Sequence, residues 1–228
     1  MNEPIDVLPQ FTVDNVIFGY DTDQLKILLV KHGEGASVGE WGLPGDWLKS
    51  NETLEAAAER ILFNRTSIKD IPLNQMHTFS AIDRYPGKRI ITTAYYTVIN
   101  VKSQKIAASD DELDAGWFNI KELPNLIFDH GDILQTGLEK FRHQVRHQPI
   151  GINLLPEKFT FFQLQQLYET ILDQKFDKPN FRRKMLSQNY LVNCEEQYKA
   201  GKHRTATLYR FDSDCYRELI NQGFSFNL

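Results

Sequence analysis

Two apolar, β-rich runs open the chain. Residues 11–20 and 25–31 flank Asp21-Thr22-Asp23-Gln24, a polar stretch that predicts a hairpin turn. From Thr53 to about Thr66 the residues suit a helix, and Glu52, Glu55 and Glu59 set acids towards its N-terminal end, where the helix dipole favours them. Residues 76–85 and 89–101 predict two further strands around Pro86-Gly87-Lys88, which is turn chemistry. A short strand is expected at 116–120 and a helix from Ile133 to about Arg146. The breaker cluster Gln148-Pro149-Ile150-Gly151 then sets a domain boundary, 1–149 before it and 150–228 after. Beyond it, Phe161, Leu164, Leu167, Tyr168, Ile171 and Leu172 recur at helical spacing, so 161–173 predicts a helix with Thr160 as its cap. Lys178-Pro179-Asn180 opens a second helix to about Leu186, with proline near its first turn. Residues 191–194 and 205–211 read as strands, and 195–204 as a polar loop between them.

Composition changes this picture little; charge changes it more. The 228 residues are 41% hydrophobic and 12% aromatic, enough for one large or two modest cores. No apolar run approaches the roughly 18 residues of a membrane span, so no membrane partner is expected. The acidic MNEPIDVLPQ lacks the basic and apolar regions of an export signal. Cys194 and Cys215 have no metal spacing and read as reduced thiols, which points to the cytoplasm. Residues 1–149 carry 15 Lys+Arg against 21 Asp+Glu, whereas 150–228 carry 11 against 9. Seven of those basic residues fall within 178–204, a footprint that suggests nucleic acid.

The stretch LPGDWLKSNETLEAAAERILFNRTSI carries the most specific motif. Leu43-Pro44-Gly45 leads in, Glu52 and Arg60 stand eight residues apart, and Leu62 and Ile68 take aliphatic positions. This resembles the Nudix signature, with departures at its chemistry. Ile61 stands where the family has its first helix Glu, and Asn64 and Arg65 where it has the Glu pair. Asp46 replaces the first Gly and Ser67 the last. The spacing i, i+3, i+4 would put 61, 64 and 65 on one helix face. Carboxylates there could hold Mg²⁺, which wants oxygen ligands. An isoleucine, an amide and a cation cannot, so no catalytic residue, metal or cofactor is expected. A relocated acid site at Asp46, Glu55 and Glu59 is weighed against solvated surface acids, and the surface reading is preferred. His143 and His147 are spaced i, i+4 but have no third ligand nearby, so a solvated helix end is expected there too.

Two helices and a basic-tipped hairpin outline a winged helix-turn-helix. NFRRKMLSQ supplies Asn180, Arg182, Arg183 and Lys184, with Lys178 just before them, while Phe181 and Met185 are expected to face the core. Lys202, His203 and Arg204 sit at the expected wing tip. Arg and Asn suit base edges, and Lys suits phosphates. The run LLPEKFTFFQLQQLYETILDQKFDKPNFRRKML is similar to the C-terminal domain of Nudix-related transcriptional regulators. That resemblance implies an α/β (α+β) Nudix-like sandwich followed by a small winged helix-turn-helix domain. It also implies a homodimeric repressor, a double-stranded DNA operator and a small-molecule effector that weakens operator binding. One branch responds to ADP-ribose and regulates nicotinamide-cofactor metabolism; another responds to arabinose and controls sugar utilisation. The lost acids favour a free sugar, because a diphosphate calls for a metal or clustered cations. Asp14, Lys31, Trp41, Asp46, Trp47, Asp83 and Tyr95 are the candidate ligand contacts. Asp14, inside the apolar run FTVDNVIF, is costly to bury unpartnered and must face a pocket or solvent.

Overall fold

The computed structural model describes residues 7–228 except 22, 34, 104, 105, 109–111, 188, 200–204, 225 and 227. The expected strands of the first part form one mixed sheet. It contains β1 (Val7–Asp21), β2 (Gln24–His32), β3 (Trp41–Gly42), β4 (Gly45–Lys49), β5 (Asn74–Phe79), β6 (Ile91–Asn100) and β7 (Glu112–Asn119). The strand order is β3-β2-β1-β6-β5, with β4 paired to β1 and β7 to β2. β1 and β6 run parallel in unbroken register from Phe11↔Ile91 to Tyr20↔Asn100. Side chains alternate between the faces of a strand. Val13 and Asn15 therefore share one face with Tyr95, while Thr12 and Asp14 share the other with Thr92.

The Val13 face is covered by α1 (Leu54–Thr66). Val13, Leu48, Ala57, Ala58, Ile61 and Tyr95 make one buried cluster there. Ile17, Leu28, Leu62, Ile68 and Ile99 make a second. Asn15 ties sheet to helix by donating its amide to the Ala58 carbonyl at 3.0 Å. Thr53 caps the helix by accepting from the Ala56 N–H, and Ser67 closes it in the left-handed conformation, φ 62°. α2 (His130–His147) follows the sheet.

Two compact units result: one of residues up to Asp21 with Leu25–Lys140, the other of Phe141–Leu228 with residues 22–24. In the second unit β8 (Phe159–Thr160) leads into α3 (Phe161–Leu172), α4 (Lys178–Leu186), β9 (Leu191–Lys199), β10 (Thr205–Phe211) and α5 (Ser213–Asn221). Its sheet has the order β8-β10-β9. Thr160 caps α3 in a full capping box with Gln163. Phe161, Tyr168 and Phe181 pack edge to face at 5.7 Å.

Several boundaries differ from expectation. The segment 76–85 leaves the sheet after Phe79, and Arg84 turns inward instead. The polar residues 195–199 are not loop but the outer part of β9, paired with β10 from Thr205↔Lys199 onward. A hairpin arm needs no apolar face when it stands in solvent, so polarity misled there. β3, β4 and α5 had no counterpart in the sequence reading. No helix among the described residues is long and apolar enough to cross a membrane.

Candidate functional site

The Asp14 face of the sheet opens into a pocket of about 710 Å³, solvent at its mouth included. Asp14 is 4% exposed and is held from three sides. Thr92 donates its hydroxyl to Oδ2 at 2.7 Å. Arg84 Nη2 lies 3.8 Å from Oδ2, and His130 Nε2 lies 3.8 Å from Oδ1. Gly45 is its register partner on β4, and a Cβ there would collide with the Asp14 carboxylate. The glycine of the LPG lead-in thus makes room for a pocket acid. Arg84 is oriented by Asp129, donating through Nε and Nη2 at 2.8 Å each.

His130 starts α2 and accepts the Leu43 N–H on Nδ1 at 2.9 Å. Burial lowers its pKa, so it is neutral with its proton on Nε2. His32 is driven down to about 4, first by burial and then by His130 and Arg65. Its Nε2 is buried without a hydrogen-bond partner among the described residues. Tyr85 and Phe128 form an aromatic wall, ring centroids 4.5 Å apart.

The retained signature residues build a clamp beside the pocket. Arg60 donates Nε and Nη2 to the two oxygens of Glu52 at 2.8 and 2.7 Å. Its Nη2 also reaches the Trp47 carbonyl, and its Nη1 reaches Asp46 at 3.2 Å. These hydrogen bonds hold the Glu52 carboxyl below its ordinary range, the Arg60 bond contributing most. The substituted positions separate. Ile61 is fully buried in the core, Asn64 is exposed, and Arg65 alone reaches the pocket. On α1 the three keep their i, i+3, i+4 spacing but differ in burial, Ile61 packing against the sheet and Asn64 lying at the surface. Arg65 Nη1 donates to Glu112 at 2.7 Å, and Nη2 lies 3.6 Å from Asp46.

The Nudix fold implies a divalent cation, and these residues do not fit one. Among the described residues no three His, Cys, Asp or Glu side chains cluster as metal ligands. Asp46 is taken up by Arg60 and Arg65, Glu55 accepts from Tyr95 at 3.3 Å, and Glu59 lines a separate cleft with Phe63 and Ile68. His143 and His147 are exposed on the last turns of α2, rings 4.5 Å apart.

Of the seven candidate ligand contacts, Asp14, Asp46 and Trp47 line the pocket and four do not. Lys31 and its cross-strand partner Trp41 stand outside the pocket lining, and Trp41 packs on Phe118 with ring centroids 4.6 Å apart. Tyr95 faces α1, and Asp83 is exposed. Sequence reasoning missed His32, Arg84, Tyr85, Phe128 and His130. It weighed Arg65 without placing it. Arg65 had a signal, a cation where the family has a carboxylate; the others had none.

In the second unit Lys178, Asn180, Arg182, Arg183 and Lys184 lie exposed on α4, while Phe181 and Met185 are buried as expected. Asp177 caps the helix. Arg182 also has contacts within its own domain: Nη2 donates to the Tyr209 hydroxyl at 2.7 Å, and its guanidinium lies 4.8 Å over the Phe161 ring. Arg183 donates to Asn180 Oδ1 at 2.8 Å. Lys202, His203 and Arg204 lie outside the described residues.

A pocket-bearing Nudix-like domain followed by a winged helix with a basic second helix defines a Nudix-type regulator fold. Residues 9–137 match the NUDIX domain family, and residues 151–211 match the NrtR DNA-binding winged helix domain. A repressor of Acinetobacter baylyi described as the ADPR responsive transcriptional repressor NtrR is 33% identical over 212 residues, 91% of this chain and 84% of its own. The chain belongs to this NrtR family of Nudix-domain regulators. The crystal structure of Shewanella oneidensis NrtR complexed with a 27mer DNA aligns with a TM-score of 0.75 at 25% identity, covering 96% of this chain and 99% of that one. The NUDIX domain of the same protein complexed with ADP ribose aligns with a TM-score of 0.54 at 27% identity, over 59% and 89%.

Proposed function

We propose that the protein is a transcriptional repressor whose winged helix binds an operator and whose Nudix domain binds ADP-ribose, the ligand releasing the DNA. The observation that carries this reading is the pocket in a chain so similar to an ADPR responsive repressor: two guanidinium groups and an aromatic wall around about 710 Å³. The free-pentose reading drawn from the lost acids gives way. It weighed the lost metal ligands above Arg65 as a possible substitute, and Arg65 and Arg84 both line the pocket as cationic donors. Of the candidate sugar contacts, Asp14, Asp46 and Trp47 line the pocket, whereas Lys31, Trp41, Asp83 and Tyr95 do not. Operator contacts fall to α4 and the hairpin, with two copies reading a palindrome from the cytoplasm. Release requires that ADP-ribose bind the DNA-free state more tightly than the DNA-bound state.

The test is operator selection from random duplexes, then anisotropy titration of the selected DNA with ADP-ribose and with arabinose. ADP-ribose should lower operator affinity about tenfold or more, within the usual span of allosteric coupling. Release by arabinose, with ADP-ribose inert, would overturn the assignment. Incubation with ADP-ribose and Mg²⁺ should release no AMP above background; steady turnover would identify a hydrolase instead.

A further inference from the structure

We infer that Arg65 is a built-in replacement for the divalent cation, so that the pocket binds the diphosphate of its ligand without metal. This rests on the proposed ADP-ribose reading and adds to it the source of the counter-charge. Arg65 has one tight contact and one loose one: Glu112 at 2.7 Å and Asp46 at 3.6 Å. The Glu112 side chain is wholly unexposed, so that contact anchors the guanidinium. The Asp46 contact is exchangeable, because Asp46 keeps a second cation in Arg60 Nη1 at 3.2 Å. Moving one edge of Arg65 from Asp46 to a phosphate therefore leaves neither carboxylate uncompensated. Arg84 is less free, with Nε and Nη2 both given to Asp129. A guanidinium has five N–H donors, and the two contacts of Arg65 leave others for the pocket it lines. The same cation repels a divalent ion, and Ile61 and Asn64 supply no carboxylate to hold one. The counter-charge that the fold elsewhere takes from a metal is covalently attached here.

The test is calorimetric titration of the full chain with ADP-ribose and with inorganic pyrophosphate, in EDTA and in Mg²⁺, with thermal unfolding as a folding control. The wild type should bind ADP-ribose with the same Kd, within about twofold, in both buffers. R65A should weaken binding by about tenfold or more, the scale of a lost charge-assisted contact. R65K should fall between the two, since it keeps the charge and loses the fork. R65E should bind poorly in EDTA and regain affinity in Mg²⁺. Wild-type binding that tightens tenfold or more with Mg²⁺ would overturn the inference, as would R65A binding like wild type. The wild-type buffer comparison stands even if R65A does not fold. Pyrophosphate binding that depends on Arg65 but not on metal, with no ADP-ribose binding, would sink the ligand assignment and leave Arg65 its role. Binding of neither probe would sink both.

Discussion

His32 shows how closely the pocket controls single groups. Its pKa falls from 6.5 to about 4, chiefly through burial. A base whose folded pKa is depressed is stabilising while neutral in both states. Its contribution is full above pH 6.5 and is lost as pH falls through about 4, because the unfolded chain takes up the proton first. The shift corresponds to about 3 kcal/mol. The thermal midpoint should therefore rise with pH between about 4 and 6.5, and H32Q should show a shallower rise over that window. An equal slope in both proteins would refute the assignment. Gly45 is a second case. G45A must displace the Asp14 carboxylate or the strand carrying it, at a cost of about 1–3 kcal/mol, measurable as a lower denaturant midpoint. At this scale the sequence was only partly legible. Asp14 betrayed itself as an acid in an apolar run. Tyr95 and Lys31 could not be placed, because which face they take depends on register, and a one-residue change of register reverses it.

Elements were more legible than residues wherever local chemistry decided them. Thr160 and Gln163 wrote the start of α3 into the sequence, as Asp177 and Pro179 wrote that of α4. β3 and β4 left no trace, being only two and five residues long and fixed by pairing to distant partners. α5 has a cap in Asp212 and apolar residues Tyr216, Leu219 and Ile220 at helical spacing, both local signals of a short helix. On α4 the proposed DNA contacts differ in their partners within the domain. R183A and K184A should weaken operator binding with folding intact, each lost phosphate contact lowering the salt slope by about 1. R182A should instead lower the unfolding midpoint, because it removes a hydrogen bond and a cation–π contact worth about 1–2 kcal/mol together. An unchanged midpoint for R182A with lost DNA binding would reassign it to the DNA.

For the molecule as a whole, the order of a Nudix domain and a winged helix was legible because each carries a local signature, the box at Leu43–Ile68 and the basic segment at 178–186. The effector was not, since the signature records which groups left and not which ones stayed. A thermal-shift panel should show stabilisation by ADP-ribose growing with its concentration, and none by pentoses. The pairing of β1 with β6 has a separate consequence. The central strand of the sensor finds its parallel neighbour only at Ile91–Asn100, some 80 residues downstream at each register pair. A chain emerging from the ribosome therefore holds an incomplete sheet, with β1 bare along that edge, until most of the domain has been made. The sensor cannot nucleate from its first hairpin alone. Its assembly is set by a long-range closure and should be slow beside that of the helical module that follows it.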